Sequence, residues 1–142
     1  MKSKYLLSGI VAFAVMFIVS SCAQTLSFQN SSVVPAAQGK VKVKEDDNNN
    51  YNIKVDIKDL ADINQLDSGK QTYVVWMETR QGTTENIGQL RSERSFFTRQ
   101  RKASLETVSS FEPFRVFVTA EHGTNVRFPS NQIVLSTETL RR

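Results

Sequence analysis

The chain has 142 residues, 39% of them hydrophobic and 23% charged, with 18 Lys and Arg against 14 Asp and Glu, one Cys and one His. That is the length of a single domain. A lone Cys excludes a disulfide framework, and one Cys with one His excludes the zinc sites that take three or four ligands from these two residue types.

The first segment stands apart. Residues 1–21 open with Lys2 and Lys4, run apolar from Tyr5 to Val19 and end in Ser20 and Ser21, which is the charged, apolar and small-residue order of a secretory signal peptide. The apolar run, about 15 residues, is shorter than the roughly 20 that a spanning helix needs. Val19, Ser20, Ser21 and Cys22 then stand in the order of a lipobox, and here the sequence resembles a bacterial lipoprotein precursor. The resemblance implies a diacylglyceryl group on the Cys22 thiol, cleavage before Cys22 and acylation of the new amino group with a fatty acid such as palmitate. Each buried methylene contributes about 0.8 kcal/mol, so two or three chains hold a protein on a membrane where one does not. The expected partner is therefore a membrane, reached through an N-terminal lipid anchor. Ala23 follows Cys22, where an Asp would mark retention in the inner membrane, so the expected place is the outer membrane, with the domain facing the periplasm. Lys2 and Lys4 leave with the leader and take half of the net charge of +4 with them. What remains gives no reason to expect nucleic acid.

Residues 22–38 read as the lipidated N-terminus and a polar tether, and residues 39–142 as the domain it carries. Leu26, Phe28, Val33 and Val34 leave room for part of the tether to lie along the domain as an edge strand. From Gly39 the pattern has period two. Val41 and Val43 alternate with Lys40, Lys42 and Lys44; Ile53, Val55 and Ile57 alternate with Lys54, Asp56 and Lys58. With a turn at residues 45–50 between them, the two runs predict a hairpin with one wet face. The turn, EDDNNN, has the oxygen ligands of a calcium loop but neither the Gly at the bend nor the Glu at the twelfth position, and Asp and Asn are common turn residues.

Residues 59–67 have room for one short helical turn but are expected to be a connecting loop. Residues 72–79 (TYVVWMET) predict a strand, 80–83 a Gly-bearing turn and 85–91 the returning strand, with Gly88 marking a bulge or a close backbone approach. Residues 102–108 alternate weakly. Residues 114–121 place Phe114, Val116, Val118 and Ala120 on one face and Arg115, Phe117, Thr119 and Glu121 on the other, and residues 132–137 close the domain. About seven short strands without a helical period predict an all-β, antiparallel, immunoglobulin-like sandwich. Trp76 is expected to pack against the opposite sheet, and His122 to sit in a turn.

Tyr73-Val74-Val75-Trp76, Asn86-Ile87-Gly88-Gln89-Leu90, Phe117-Val118-Thr119-Ala120-Glu121, Pro129-Ser130 and Val134-Leu135 together resemble a bacterial extracytoplasmic sandwich family. Its members stand beside OmpA-like domains and are similar to the C-terminal domain of anti-sigma-K factors. The resemblance spans roughly residues 39–137; it implies the sandwich fold and no common reaction or ligand.

One segment concentrates charge. Arg91, Arg94, Arg99, Arg101 and Lys102 surround Phe96 and Phe97, with Glu93 the only acid. Two readings stand: a contact for an anionic surface, where guanidinium groups grip phosphate bidentately, or a solvated edge strand with one phenylalanine turned inward. No cofactor or metal site is expected. With one His, no nucleophile elbow and no phosphate loop, there is no catalytic set, and Asp46, Asp47, Asp62 and Asp67 fall in polar segments that would not separate their pKa values. The expected role is a non-enzymatic structural or protein-binding module of the cell envelope. The alternative is a regulatory domain related to the anti-sigma factors.

Overall fold

The structure, a computed structural model, describes residues 22–66, 69–94 and 101–141. The alternating segments form nine strands among these residues: β1 Gln24–Ser27, β2 Gln38–Glu45, β3 Tyr51–Lys58, β4 Thr72–Thr79, β5 Thr84–Gln89, β6 Arg91–Arg94, β7 Arg101–Ser109, β8 Pro113–Glu121 and β9 Ile133–Ser136. They build two antiparallel sheets, one in the order β1-β2-β3-β7-β6 and the other β5-β4-β8-β9. With β2, β3, β7 and β6 as strands A, B, E and D, and β5, β4, β8 and β9 as C′, C, F and G, this is the immunoglobulin arrangement. β1 is an addition at the edge beyond strand A. The fold class is the expected sandwich, with more strands than the expected seven.

Alternation decides which side chains make the core. Val41, Val43, Ile53, Val55 and Ile57 from one sheet meet Val75, Met77, Val116, Val118 and Leu135 from the other in a single buried cluster. Both open sides of the sandwich are closed by chain that changes sheet. On one side Leu90 donates its N–H to the Tyr73 carbonyl of β4 at 3.0 Å, and the next residue, Arg91, already pairs with Ser104 of β7. The single returning strand expected over residues 85–91 is thus divided between the two sheets. On the other side Phe28 bridges to Thr137, and the Gln29 N–H donates to the Ser136 carbonyl at 2.9 Å.

Residues 22–38 are not a free tether. β1 pairs along β2 from Gln24 opposite Val43 to Ser27 opposite Lys40, and Val34 and Ala37 are buried. Apolar side chains at 26, 28, 33 and 34 have a groove to fill, and Gly39 lets Phe28 fill it. A Cβ at Gly39 would lie 2.9 Å from the Phe28 ring and 2.8 Å from the Asp56 carbonyl oxygen. The loop expected at residues 59–67 contains one 3-10 turn, Ile63–Gln65, capped by Asp62. No helix among the described residues is long and apolar enough to cross a membrane.

Candidate functional site

Cys22 is a free, exposed thiol two residues ahead of β1. It lies at the end of the sandwich where the β2–β3 and β7–β8 turns meet, on the rim of a shallow cavity of about 270 Å³ shared with Glu45, Tyr51, Arg80, Glu112 and Leu140. The leader and the residues preceding Cys22 in the lipobox lie outside the described residues.

The described part of the basic segment does not lie on one face. Successive residues of a strand face opposite ways, so Arg101 and Lys102 part company. Arg101 forms an ion pair with Asp62 at 3.6 Å, while Lys102 stands opposite Lys58 on the outer face of the five-stranded sheet. Arg91 joins Lys102 on that face, since it pairs with Ser104. Arg94 pairs with Arg101 in the β6–β7 ladder, and Arg99, Phe96 and Phe97 lie outside the described residues.

What gathers around Arg91 and Lys102 instead is the wet face of the hairpin. Lys40, Lys42 and Lys44 of β2 and Lys54 and Lys58 of β3 alternate with the buried valines and isoleucines and are all exposed. The signal was present in the sequence as alternating lysines; what was missing was the pairing of β3 with β7, which adds Lys102, and of β7 with β6, which adds Arg91.

A second polar assembly sits on the outer face of the four-stranded sheet. Trp76 does not pack between the sheets as expected. Val75 and Met77 take the inner positions, so Trp76 points outward, where it stacks on Phe117 with ring centroids 6.4 Å apart and is covered by Val126. It remains fully buried because residues 122–132 fold over it. Its indole Nε1–H donates to Thr119 Oγ1 at 2.8 Å, the Thr119 hydroxyl donates to Glu121 Oε1, and the Ser130 N–H donates to the same oxygen at 2.8 Å. Asn86 Nδ2 holds the cover from the other side, donating to the carbonyls of Thr124 at 2.9 Å and Val126 at 3.2 Å. Each buried polar atom is satisfied, so the assembly fixes a loop.

The remaining singled-out groups hold turns and edges. Asp46 Oδ1 accepts from the N–H groups of Asn48 and Asn50 at 2.8 and 2.9 Å, and the Asn50 hydrogen bond, first among its causes, lowers its pKa. His122 follows β8 directly, with Nδ1 2.7 Å from the Gly69 carbonyl oxygen. Arg115 meets Glu78 through two hydrogen bonds of 3.0 and 2.7 Å and lies over the Phe117 ring at 5.3 Å. Among the described residues no group of three or more His, Cys, Asp or Glu side chains converges as a metal site. Asp67 lies outside them.

Comparison of the chain with protein-family models, with curated proteins and with solved structures returns no match.

Proposed function

We propose that the chain is a bacterial lipoprotein, anchored through Cys22 to the outer membrane, whose periplasmic sandwich serves as a structural or protein-binding module of the envelope. The observation that carries the reading is the order Lys2 and Lys4, apolar run, Val19-Ser20-Ser21-Cys22, with that cysteine exposed at the head of β1. A thiol in that position is open to an enzyme that transfers a diacylglyceryl group, and its modification would disturb no buried contact. A non-catalytic role agrees with how the acidic side chains are employed: Glu78 with Arg115, Glu112 with Arg80, Asp62 with Arg101, Asp46 on its own turn and Glu121 under the covering loop.

The test is metabolic labelling with a palmitate analogue, followed by mass spectrometry of the N-terminal peptide. Label on the wild-type chain, lost in Cys22→Ser, with cleavage before Cys22, is the expected result. A mature chain with a free Cys22 thiol would overturn the reading. Crosslinking in cells then identifies the envelope partner, and separation of inner from outer membranes tests the location.

A second reading, a regulatory domain related to the anti-sigma factors, has one feature in its favour. The residues that carry the resemblance fall mainly on β4, β5, β8 and β9 and on the loop over Trp76, so they belong to one sheet and its cover. Recovery of a signalling membrane protein in the crosslinking would favour this reading; its absence would favour the structural module.

A further inference from the structure

The outer face of the five-stranded sheet is solvated and cationic. The strand registers set Lys42 opposite Lys54 and Lys58 opposite Lys102, with Lys40 opposite Asp56, Lys54 also opposite Glu106, Lys102 also opposite Glu93, and Arg91 opposite Ser104. Among the described side chains on this face, Asp56 and Glu106 are the only acids beside six lysines and Arg91, and no ion pair among the described residues engages any of these lysines. Like charges directly opposite each other destabilise a sheet. Two such lysine pairs on one face break a local rule, and such breaks concentrate where function is served.

We propose that this face lies against the anionic phosphates of a lipid bilayer. Strands stand about 4.8 Å apart and same-face neighbours along a strand about 6.8 Å apart, so the ammonium groups spread over a surface and do not converge on a point. The matching partner carries negative charge distributed over a plane. The location of Cys22 adds a second argument, resting on the lipoprotein reading: β1, which it precedes by two residues, is the edge strand of this same sheet. A lipid on Cys22 holds that edge at the headgroups, and rotation about it brings the lysines down. The third argument is apolar. Val108, 60% exposed, stands opposite Asn52 on this face, and Phe111, 46% exposed, lies in the turn beside Glu112, which borders the Cys22 cavity. Exposed apolar side chains beside cations, at the anchored end, suit the boundary between headgroups and acyl chains.

The test uses the full chain isolated from membranes and reconstituted into phosphatidylcholine vesicles with or without phosphatidylglycerol. The rate of lysine acetylation by an amine-reactive ester is read residue by residue by mass spectrometry. A basic side chain at an anionic surface strengthens attachment by about five-fold, so Lys40, Lys42, Lys54, Lys58 and Lys102 are expected to react several-fold more slowly on the anionic vesicles. Lys70, in the loop before β4, is expected to keep its rate. The protection should vanish near 1 M salt, where the Debye length is about 3 Å. A Lys42→Glu, Lys58→Glu double variant, in which each new carboxylate faces a lysine across the ladder, should lose the protection at Lys40 and Lys102 while remaining folded. Equal rates on the two kinds of vesicle, or slowing shared by Lys70, would overturn the proposal. So would protection that appears only on intact envelopes, which points to an acidic protein instead. The mass of the Cys22 peptide in the same sample reports acylation. Protected lysines with a bare thiol would therefore sink the anchor and keep the face, and an acylated Cys22 with unprotected lysines would do the reverse.

Discussion

Trp76 is the only tryptophan in the chain, and it is buried on the face of its sheet that the fold would otherwise leave wet. Its single polar atom needs an acceptor there, and Thr119 supplies one while passing its own hydrogen to Glu121. Replacing Thr119 by Val leaves the indole N–H buried without a partner, which costs about 1–3 kcal/mol. Thr119→Ser keeps the hydroxyl and should stay near wild type. Thermal unfolding followed by tryptophan emission reads both, and equal losses in the two variants would show that the hydroxyl is not the cause. Tyr73 makes a separate pH-dependent contribution. Its hydroxyl donates to the Ala61 carbonyl at 3.0 Å, and burial, assisted by the negative charge of Asp62, raises its pKa from 10.0 to about 12. A raised folded-state pKa means that the unfolded chain loses its proton first. The stability is therefore fully present below about pH 10 and is lost as the pH rises toward 12. Denaturant midpoints across this range should fall in the wild type and lose much of that slope in Tyr73→Phe; parallel curves would refute the assignment.

At the scale of elements, the β4–β5 ladder depends on one glycine. Val75 pairs with Gly88 and Trp76 with Asn86, so Ile87 is the extra residue of a bulge, and Gly88 holds φ at +135°. A Cβ there would meet Leu105 Cδ1 at 3.0 Å in addition to the unfavourable backbone conformation. Gly88→Ala should cost about 1–3 kcal/mol. Gly123→Ala, where an added Cβ meets nothing within 4 Å, should be neutral or stabilising by up to about 1 kcal/mol; equilibrium unfolding separates the two. A glycine inside a strand pattern signals a bulge or a close approach, and Gly88 meets both, with Ile87 bulged beside it and Leu105 3.0 Å from an added Cβ. Also legible were β2, β3 and β8, where apolar residues alternate with polar ones, and β4, whose β-branched and aromatic run marks a strand without alternating. The strand change at Leu90 was not legible, since Glu85 to Arg91 alternates no differently before and after it, and only the partner strand changes. β1 was obscured for a related reason: a short edge strand pairs through its backbone, and Gln24 and Thr25 carry no hydrophobic signal. Trp76 was misplaced because alternation alone makes both faces of β4 apolar and does not reveal which face a loop will cover.

Across the whole molecule, the two sheets differ in what they ask of solvent. The four-stranded sheet covers the centre of its outer face, at Val74, Trp76 and Phe117, with Val126 of the β8–β9 loop, whereas the five-stranded sheet leaves its outer face to water and loads it with cations. The candidate site was legible only in pieces for this reason: Cys22 is a local motif, but the lysine face is a sum over four strands far apart in sequence. That sum has a consequence for stability. Raising the salt concentration from about 0.01 M to about 0.1 M shortens the Debye length from about 30 Å to about 10 Å, which relieves the repulsion summed over the six lysines and Arg91 of this face more than it weakens their attraction to Asp56 and Glu106 and to Glu93, which the register sets opposite Lys102. Relief of about 0.5 kcal/mol raises the midpoint of a domain of this size by about 2–4 °C. Lys42→Glu turns one repulsive pair into an attractive one, so it should raise the midpoint at low salt and reduce the salt effect. If this face meets anionic lipid, the same variant should bind anionic vesicles less well, so that stability and attachment move in opposite directions. A midpoint that falls with added salt, or a Lys42→Glu protein that is less stable at low salt, would show that repulsion across this sheet does not govern either.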